Sequence, residues 1–441
     1  RARAELSRHL ELVVPALRQV QRLKRHGLDV SHAVFESLRP PRVVVFTGHM
    51  MDRPGQTLPR LGPALEAPLK AELHRRLDEM DVQIGYSSAA CGSDLLFVEA
   101  MLERAAEVNI ILPFDHEDFV AASVAYAGPR WIMRFRNALR LAHSVSYATT
   151  ERYLGHDTLY RFANQMLHGM ATLRARFLET EPHLLAVWDM SEGSLIGGAA
   201  DFIDQWEDIA RLQIVDPELL SPGDMAAGEP LPANAGPRPA WVKVEPERVT
   251  RVMLFADLVG FSKLGEGSIP AYIAMLGRLK ILVERAGVRP LAINTWGDAM
   301  FVVMERASDL VDYALRLKGA VRALANESGG LGLQIRVSLH AGPVFPGIDP
   351  FQERPNFYGA HINRAARLEP VTVPGQIYAT QQFVALLTAE ESAMASEARS
   401  GGGAYRPPWV CEYVGVLMLA KKFGNQPVYH IRGVDGAEGE G

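Results

Sequence analysis

Cysteine is scarce in this sequence, since the chain of 441 residues contains only Cys91 and Cys411. Two cysteines so far apart exclude a disulfide-rich scaffold and favour a reducing compartment. The sequence also lacks a run of about eighteen uncharged apolar residues, the length that a membrane-spanning helix needs. These absences predict a cytoplasmic protein that does not cross a membrane.

An excess of positive charge is missing as well. The chain has 46 basic and 51 acidic residues, which gives a formal net charge of −5. Proteins that bind nucleic acid usually carry a clearly basic domain, so we expect no nucleic-acid partner. Apolar residues make up 48% of the chain, a proportion typical of globular cores, and the length predicts two or three domains.

One stretch poor in large apolar residues divides the chain. Residues 216–246 include DPELLSPGDMAAGEPLPANAGPRPAW, which is dense in proline, glycine and alanine and predicts a linker. The linker separates a first domain at 41–215 from a second domain at 247–435. Residues 1–40 carry apolar residues at helical spacing interrupted by charges, which predicts an amphipathic helical segment and not a signal peptide.

Strand-like and helix-like segments alternate in the first domain. The strand candidates are RVVVFTGHM, VQIGYSS, VNIILPF and HLLAVWD, and the helix candidates are LKAELHRRLDEM, LLFVEAMLERAAE and GGAADFIDQWEDIARL. This β-α-β alternation predicts a parallel, Rossmann-like sheet, the α/β class.

The second domain has a different order of elements. A strand ending in VMLFAD, the helix IPAYIAMLGRLKILVERAG, the strands PLAINT and AMFVVM, the helix DLVDYALRLKGAVRALA and the strand LQIRVSLHAGPVF follow one another. The order β-α-β-β-α-β predicts a ferredoxin-like α+β fold.

Two aspartates stand at element ends of the second domain. Asp257 ends the strand VMLFAD, and Asp298 lies in the turn of NTWGDAMF. In a ferredoxin-like sheet these segments are neighbours, so both carboxylates can converge as hard oxygen ligands for Mg²⁺ or Mn²⁺ beside phosphates. The tight turn at Gly260 offers backbone amides to phosphate oxygens. Taken singly, each aspartate also fits an ordinary turn or cap residue.

The segment YGAHINRAARLEP predicts a short helix with an unusual polar face. Asn363 and Arg367 lie four residues apart and therefore project from the same face, one turn from each other. Alone, the pair also fits a solvated surface or a salt bridge.

The segments FADLVGFS, NTWGDAMF, RVSLHAGPV and YGAHINRAARLE occur in an order and at spacings that resemble the class III nucleotide cyclase catalytic domain. The resemblance covers Val249 to Gly433. It implies that a nucleoside triphosphate is converted to a 3′,5′-cyclic nucleotide and pyrophosphate. It further implies that Asp257 and Asp298 bind two Mg²⁺ or Mn²⁺ ions per active site. Asn363 would orient the ribose, and Arg367 would stabilise the transition state.

The same resemblance extends to phosphate contacts and assembly. Gly260, Phe261 and Ser262 match the phosphate-binding turn, and Lys421, with Lys422 as the alternative, matches a lysine that grips the terminal phosphates. In this family the metal-binding aspartates and the Asn–Arg pair come from different subunits, which implies a homodimer. The segment FPGIDPFQERPN lies where the family extends an arm towards the partner.

The positions that read the base depart from the familiar patterns. Adenylate cyclases typically carry Lys and Asp there and guanylate cyclases Glu and Cys, whereas this chain has Asn294 and Asn356. An amide is both donor and acceptor, so neither purine is specified by charge. ATP is the default substrate, and UTP or CTP, as in antiphage cyclases that lack the purine pairs, is the alternative. GTP is the least favoured triphosphate, and a non-catalytic nucleotide-binding module is a further alternative.

The segments FTGH, AACGSDLLFVEA, ILPF and GGAAD of the first domain resemble the SLOG superfamily of Rossmann-like proteins, over Pro41 to Ile214. The resemblance implies a nucleotide-like signal that regulates the cyclase. An enzyme acting on a nucleotide glycosidic bond is the alternative, and tight turns alone would also explain the glycines. The candidate ligand residues stand at strand ends and helix starts. They are Gly48, His49, Gly92, Asp94, Gly197 and Gly198.

Overall fold

The structure is a computed structural model that describes residues 40–53, 59–190, 197–220, 244–284, 289–327 and 333–434, with a few isolated positions before residue 24. The chain divides into two compact units, Arg1–Lys243 and Val244–Gly441. The division falls inside the predicted linker, most of which lies outside the described residues, as does most of the predicted N-terminal helical segment.

The first unit contains a six-stranded sheet in which every neighbouring pair is parallel. Its strands are β1 (Arg42–Gly48), β2 (Val82–Ser87), β3 (Glu107–Leu112), β4 (Ser144–Tyr147), β5 (His183–Val187) and β6 (Leu212–Val215). The spatial order is β4-β3-β2-β1-β5-β6. The order therefore reverses between β1 and β5, as in a doubly wound Rossmann-like sheet.

In the described part of this unit, six helices connect and cover the sheet. They are α1 (Glu66–Glu79), α2 (Ser93–Glu103), α3 (His116–Ser123), α4 (Pro129–Leu141), α5 (Thr158–Phe177) and α6 (Ala199–Asp204). The central strand β1 reads RVVVFTG, and its residues 43–45 are completely buried, as expected of a parallel strand covered on both faces.

One predicted helix of the first unit is much shorter than expected. The pattern GGAADFIDQWEDIARL predicts a long helix, but α6 ends at Asp204, and the strand β6 begins at Leu212. Trp206 turns into the interior, where it is 4% exposed and its ring lies 4.7 Å from that of His168. Burial of this large ring favours a break in the helix over its continuation.

The second unit contains an eight-stranded sheet. Its strands are β7 (Val249–Val259), β8 (Ala292–Trp296), β9 (Ala299–Met304), β10 (Gln334–Asp349), β11 (Arg354–Tyr358), β12 (Ile377–Thr380), β13 (Trp409–Met418) and β14 (Asn425–Gly433). Its helices are α7 (Ile269–Glu284), α8 (Ala307–Glu327), α9 (Ala360–Leu368) and α10 (Gln381–Ser400).

The order of the sheet in the second unit is β13-β14-β12-β10-β7-β9-β8, with β11 paired to β10. The segment β10-β7-β9-β8 is the ferredoxin-like arrangement of the β-α-β-β-α-β elements, so the predicted fold class is confirmed for both units. Within the described residues, no helix combines the length and the apolar character needed to cross a membrane.

Candidate active site

Two carboxylates lie side by side at one end of the second sheet. Asp257 on β7 is paired with Ala299, the first residue of β9, and Asp298 directly precedes it. The amide of Leu258 donates to the carbonyl oxygen of Asp298 at 3.0 Å, which keeps the aspartates in adjacent register. The prediction that Asp257 ends its strand is wrong by two residues, because β10 continues the ladder with β7 as far as Val259.

Asp257 and Asp298 both lie close enough to the buried Tyr272 to affect the pKa of its hydroxyl group. Tyr272 is 3% exposed, and its hydroxyl donates to the carbonyl oxygen of Gly297 at 2.9 Å. Burial is the main cause that raises the pKa of Tyr272 to about 12, and the negative charges of Asp298 and Asp257 contribute. The two carboxylates therefore converge on one place, as the order of the motifs predicted.

An arginine and a glutamate that the motifs did not reveal adjoin this pair. Arg336 on β10 lies opposite Asp257, and its Nε and Nη2 atoms donate to Asp257 Oδ2 at 3.1 Å and 2.8 Å. The same guanidinium forms an ion pair with Glu369, which follows α9. Burial raises the pKa of Glu369, the arginine opposes this shift, and the charges of Asp257 and Asp298 add to it.

The oxygen atoms of this group suit a hard divalent cation. Only Oδ2 of Asp257 accepts from Arg336, and the carboxylate of Asp298 has no hydrogen bond or ion pair with the described residues. Such oxygens are the ligands that Mg²⁺ and Mn²⁺ prefer. The described part of the chain contains no cluster of three or more His, Cys, Asp or Glu side chains able to hold a metal. Further ligands would therefore be main-chain, phosphate or water oxygens.

The turn after β7 has the backbone conformation that the sequence predicted. Gly260 has a φ of 103°, a left-handed conformation that favours glycine, and a short helical turn over Phe261–Lys263 follows. The ring of Phe261 lies 4.7 Å from that of Tyr272, while the side chain of Ser262 is exposed. The turn therefore lies next to the carboxylate pair, because both adjoin Tyr272.

The helix α9 buries one face and exposes the other. His361, Ala365 and Leu368 are buried, whereas Asn363 is exposed and Arg367 is half-buried. Neither polar side chain has a hydrogen bond or ion pair with the described residues, so both are available to a ligand. Within the described residues, no hydrogen bond or ion pair joins them to the carboxylate pair.

The two predicted base-reading residues meet although they lie far apart in the sequence. Asn294 on β8 donates through Nδ2 to Oδ1 of Asn356 on β11 at 3.5 Å, a long hydrogen bond. The amide of Phe357 donates to the same oxygen at 2.9 Å. The structure thus places both amides at one location, each half-buried.

The two candidate lysines stand at the tip of the last hairpin. Lys421 and Lys422 lie in the turn between β13 and β14, are exposed, and both have a φ of 58°. This turn contacts α9, which carries Asn363 and Arg367. The sequence does not distinguish between the two lysines. Both are exposed, so either can bind the terminal phosphates of a ligand.

Known proteins match the second unit. The family described as the adenylate and guanylate cyclase catalytic domain matches residues 244–401. Residues 244–401 form a nucleotide cyclase catalytic domain. The germination-specific adenylate cyclase of Dictyostelium discoideum is 27% identical over 149 residues, which are 30% of this chain and 17% of that protein.

A guanylate cyclase is among the relatives of this cyclase domain as well. The guanylate cyclase soluble subunit beta-2 of Rattus norvegicus is 28% identical over 140 residues, which are 29% of this chain and 20% of that protein. The chain thus spans no more than a fifth of the length of these two relatives. The solved adenylyl cyclase CyaB from P. aeruginosa is 16% identical, with 44% of this chain and 98% of that chain covered and a TM-score of 0.35.

A buried histidine pair anchors the helix α9 of the cyclase domain to the sheet. Nε2 of His340 and Nδ1 of His361 are 2.8 Å apart, and Nδ1 of His340 is 2.7 Å from the hydroxyl oxygen of Thr380. Burial lowers the pKa of both histidines, to about 3 for His361, so both rings are neutral at pH 7. The hydroxyl of Ser338 donates to the carbonyl oxygen of Ala365 at 2.9 Å and adds a second anchor.

Gly342 makes room for this histidine pair. A Cβ atom at Gly342 would overlap the ring of His361, whereas a Cβ atom at Gly319 on α8 would meet open space. We expect Gly342→Ala to destabilise the cyclase domain by about 1–3 kcal/mol, the usual cost of overpacking a core. Cyclase activity should fall with it, because α9 must shift.

The matched control for this prediction is Gly319→Ala, which should be neutral or slightly stabilising at this exposed helical position. Chemical denaturation of both variants measures the difference. Equal stability of the two variants would contradict the packing role of Gly342.

Five of the six candidate ligand residues of the first unit line one cavity of about 400 Å³; they are Gly48, His49, Asp94, Gly197 and Gly198. Gly92 is not among the lining residues. Its φ of 105° and its bridge to Met50 make it a structural turn residue, because a Cβ atom there would approach Met51 N to 2.5 Å. Burial raises the pKa of the nearby Cys91 thiol to about 12, which does not fit a nucleophile.

Proposed function

We propose that this protein converts a nucleoside triphosphate into a 3′,5′-cyclic nucleotide and pyrophosphate. The observation that carries the proposal is the convergence of Asp257 and Asp298 in a matched cyclase domain, together with the outward-facing Asn363 and Arg367. Degenerate relatives that only bind nucleotide usually lack one of these four residues. The complete set therefore favours catalysis over a binding module.

Each residue has a distinct part in the proposed reaction. Asp257 and Asp298 would hold two Mg²⁺ or Mn²⁺ ions, which when bound offset charge at the α-phosphate and acidify the ribose 3′-hydroxyl. Asn363 orients the ribose so that the 3′-oxygen, whose proton passes to solvent water, attacks the α-phosphorus in line while the bond to the leaving pyrophosphate breaks. The guanidinium of Arg367 stabilises the negative charge that develops on the phosphoryl oxygens.

The remaining phosphate contacts come from two exposed turns. The turn of Gly260, Phe261 and Ser262 would offer backbone amides to the triphosphate, and Lys421 or Lys422 would bind its terminal phosphates. Arg336, already beside Asp257, brings further positive charge to the same place. These groups bind the ground state and the transition state alike, so their loss should mainly raise KM.

A second copy of the chain would complete each active site. Within the described residues, no hydrogen bond or ion pair joins Asn363 or Arg367 to the two aspartates. The hairpin of β10 and β11 also exposes apolar side chains, with Ile348 63% and Phe351 95% exposed. A homodimer would bury such a surface and unite the two halves of the site.

Among the four triphosphates, ATP is the favoured substrate. The half-buried amides of Asn294 and Asn356 can each donate and accept hydrogen bonds, so they suit several base edges. UTP or CTP, the substrate of an antiphage signalling cyclase, is the second candidate because the charged purine-reading pair is missing. GTP is the least favoured.

Product analysis tests the proposal. The purified protein is incubated with Mg²⁺ or Mn²⁺ and, separately, with ATP, GTP, CTP and UTP. We expect one cyclic nucleotide with pyrophosphate, and its loss by two orders of magnitude or more in Asp298→Ala, because one metal carboxylate is gone. Glu266→Gln, on an exposed turn of the same domain, serves as the control. No cyclic product from any triphosphate with either metal would contradict catalysis.

The two amides give a second prediction about the base. We expect the double variant Asn294→Lys and Asn356→Asp to shift the ratio of kcat/KM for ATP over UTP upwards by about tenfold or more, because a charged pair replaces two ambiguous amides. The ratio is measured by competition between the two triphosphates. An unchanged ratio in a folded double variant would contradict a base-reading role for these positions.

The first unit is proposed to regulate the cyclase in the cytoplasm. Its parallel sheet and the cavity at the candidate ligand residues support a SLOG-like sensing domain that binds a nucleotide-like signal. A catalytic role on a nucleotide glycosidic bond is the alternative. Assay of the full chain for release of free base from nucleoside monophosphates distinguishes the two.

A further inference from the structure

The side-chain amide of Asn356 is held in one orientation by its own hairpin. Its oxygen, Oδ1, accepts from the backbone amide of Phe357 at 2.9 Å. The carboxylate of Asp349 forms a hydrogen bond with the same side chain. A backbone N–H group only donates and an ionised carboxylate only accepts, so Oδ1 must face Phe357 and the nitrogen Nδ2 must face Asp349. Rotation of the amide by half a turn would set donor against donor and acceptor against acceptor.

Asp349 is itself fixed at the end of β10. Its Oδ1 accepts from the backbone amides of Phe351 at 2.9 Å and Gln352 at 3.0 Å, and the residue lies opposite Arg354 across the hairpin. The amides of Gln352 and Phe351 lower the pKa of Asp349 from its usual value, and the side chain of Asn356 adds to the shift. The carboxylate is therefore ionised at pH 7. The turn thus sets the orientation of Asn356 before any base is bound.

Asn294 is held less firmly than Asn356. Its Nδ2 donates to Oδ1 of Asn356 across 3.5 Å, which is long for a hydrogen bond. Its own Oδ1 has no partner among the described residues. Both side chains are half-buried, on the strands β8 and β11, which contact each other. A base that enters here can replace the long contact and meet the fixed oxygen of Asn356 beside the nitrogen of Asn294.

This pair of atoms suits one class of base. Adenine and cytosine carry an amino group, which donates, next to a ring nitrogen that accepts. Guanine, hypoxanthine and uracil carry a carbonyl oxygen next to a ring N–H group, which is the opposite pattern. A carbonyl oxygen that faces Oδ1 of Asn356 would leave two acceptors without a donor, at a cost in binding free energy. Rotation of Asn356 to match it would break the hydrogen bonds to Phe357 and Asp349.

We propose that Asp349 is a positioning residue that fixes Asn356 and thereby selects triphosphates with an amino group on the base. ATP and CTP belong to this class, whereas GTP and UTP carry a carbonyl group at the same position. Asn356 accepts from the amino group, and Asn294 donates to the adjacent ring nitrogen. This selection deepens the proposed function and rests on it, because it names the substrate class of the same site.

Equilibrium binding to the full chain tests the selection without turnover. The 3′-deoxy forms of ATP, inosine triphosphate, CTP and UTP lack the attacking hydroxyl and cannot be cyclised. Each is titrated by calorimetry in the presence of Mg²⁺. Within the adenine–hypoxanthine pair and the cytosine–uracil pair, the bases differ only at the amino or carbonyl group and the neighbouring ring nitrogen. We expect the amino member of each pair to bind more tightly by about tenfold or more.

Two variants of Asp349 test its part in this selection. Asp349→Asn keeps an oxygen for the turn amides but also brings a donor towards Asn356, so the amide of Asn356 is free to rotate. We expect both affinity ratios to fall by about fivefold or more, because the carbonyl members gain affinity. Asp349→Ala should lower the ratios in the same direction. A purely structural role would weaken all four ligands equally and leave the ratios unchanged.

The matched control is Glu353→Gln, which removes one negative charge from an exposed side chain of the same hairpin and should retain both ratios. Three results would overturn the proposal: equal binding within either wild-type pair, ratios that both Asp349 variants leave unchanged, or no saturable binding of any analogue. Because the analogues cannot react, a selective protein that forms no cyclic nucleotide would refute only the proposed cyclisation. A protein that forms cyclic nucleotides without this selection would refute only the role of Asp349.

Discussion

The antiparallel pairing of β7 with β9 is the constraint on which the proposed active site depends. It sets the register that places Asp298 beside Leu258 and therefore next to Asp257. Two carboxylates held this close repel each other unless a cation lies between or beside them. Arg336 supplies one such charge from β10, and divalent ions in the proposed reaction would supply the rest.

The position of the Asn–Arg pair depends on a different set of contacts. The helix α9 is fixed to the sheet by the neutral His340–His361 contact and by the hydroxyl of Ser338, while its opposite face exposes Asn363. Gly342 is needed for this packing because of the close approach of His361. Among the residues that the structure describes, no hydrogen bond or ion pair joins the carboxylate pair to the Asn–Arg pair, which gives the proposed dimer its physical reason.

Sequence patterns predicted much of this arrangement. Alternating and continuous runs of apolar residues predicted the central strands, and the order of the elements predicted both fold classes. These signals could be read because they are local in the sequence. The partners Arg336 and Glu369 were missed because the link between Asp257 and Arg336 exists only through the register of β7 and β10. The early end of α6 was missed for a similar reason, since tertiary burial of Trp206 outweighs the helical pattern. Short strands such as β4, with four residues, leave too little pattern to detect.

The most direct test of the account mixes two inactive variants. Asp298→Ala removes a metal carboxylate and Arg367→Ala removes the charge stabiliser, so each homodimer should be inactive. If one subunit supplies the carboxylates and the other the Asn–Arg pair, an equal mixture should recover about a quarter of the wild-type activity. Half of the dimers would then be mixed, each with one intact site of two.

The matched control mixes Asp298→Ala with Asp257→Ala, which damage the same half of the site and should recover nothing. Activity in the first mixture and none in the second is the result that the account predicts. A first mixture as inactive as the control, from variants that fold and exchange subunits, would contradict a site shared between two copies.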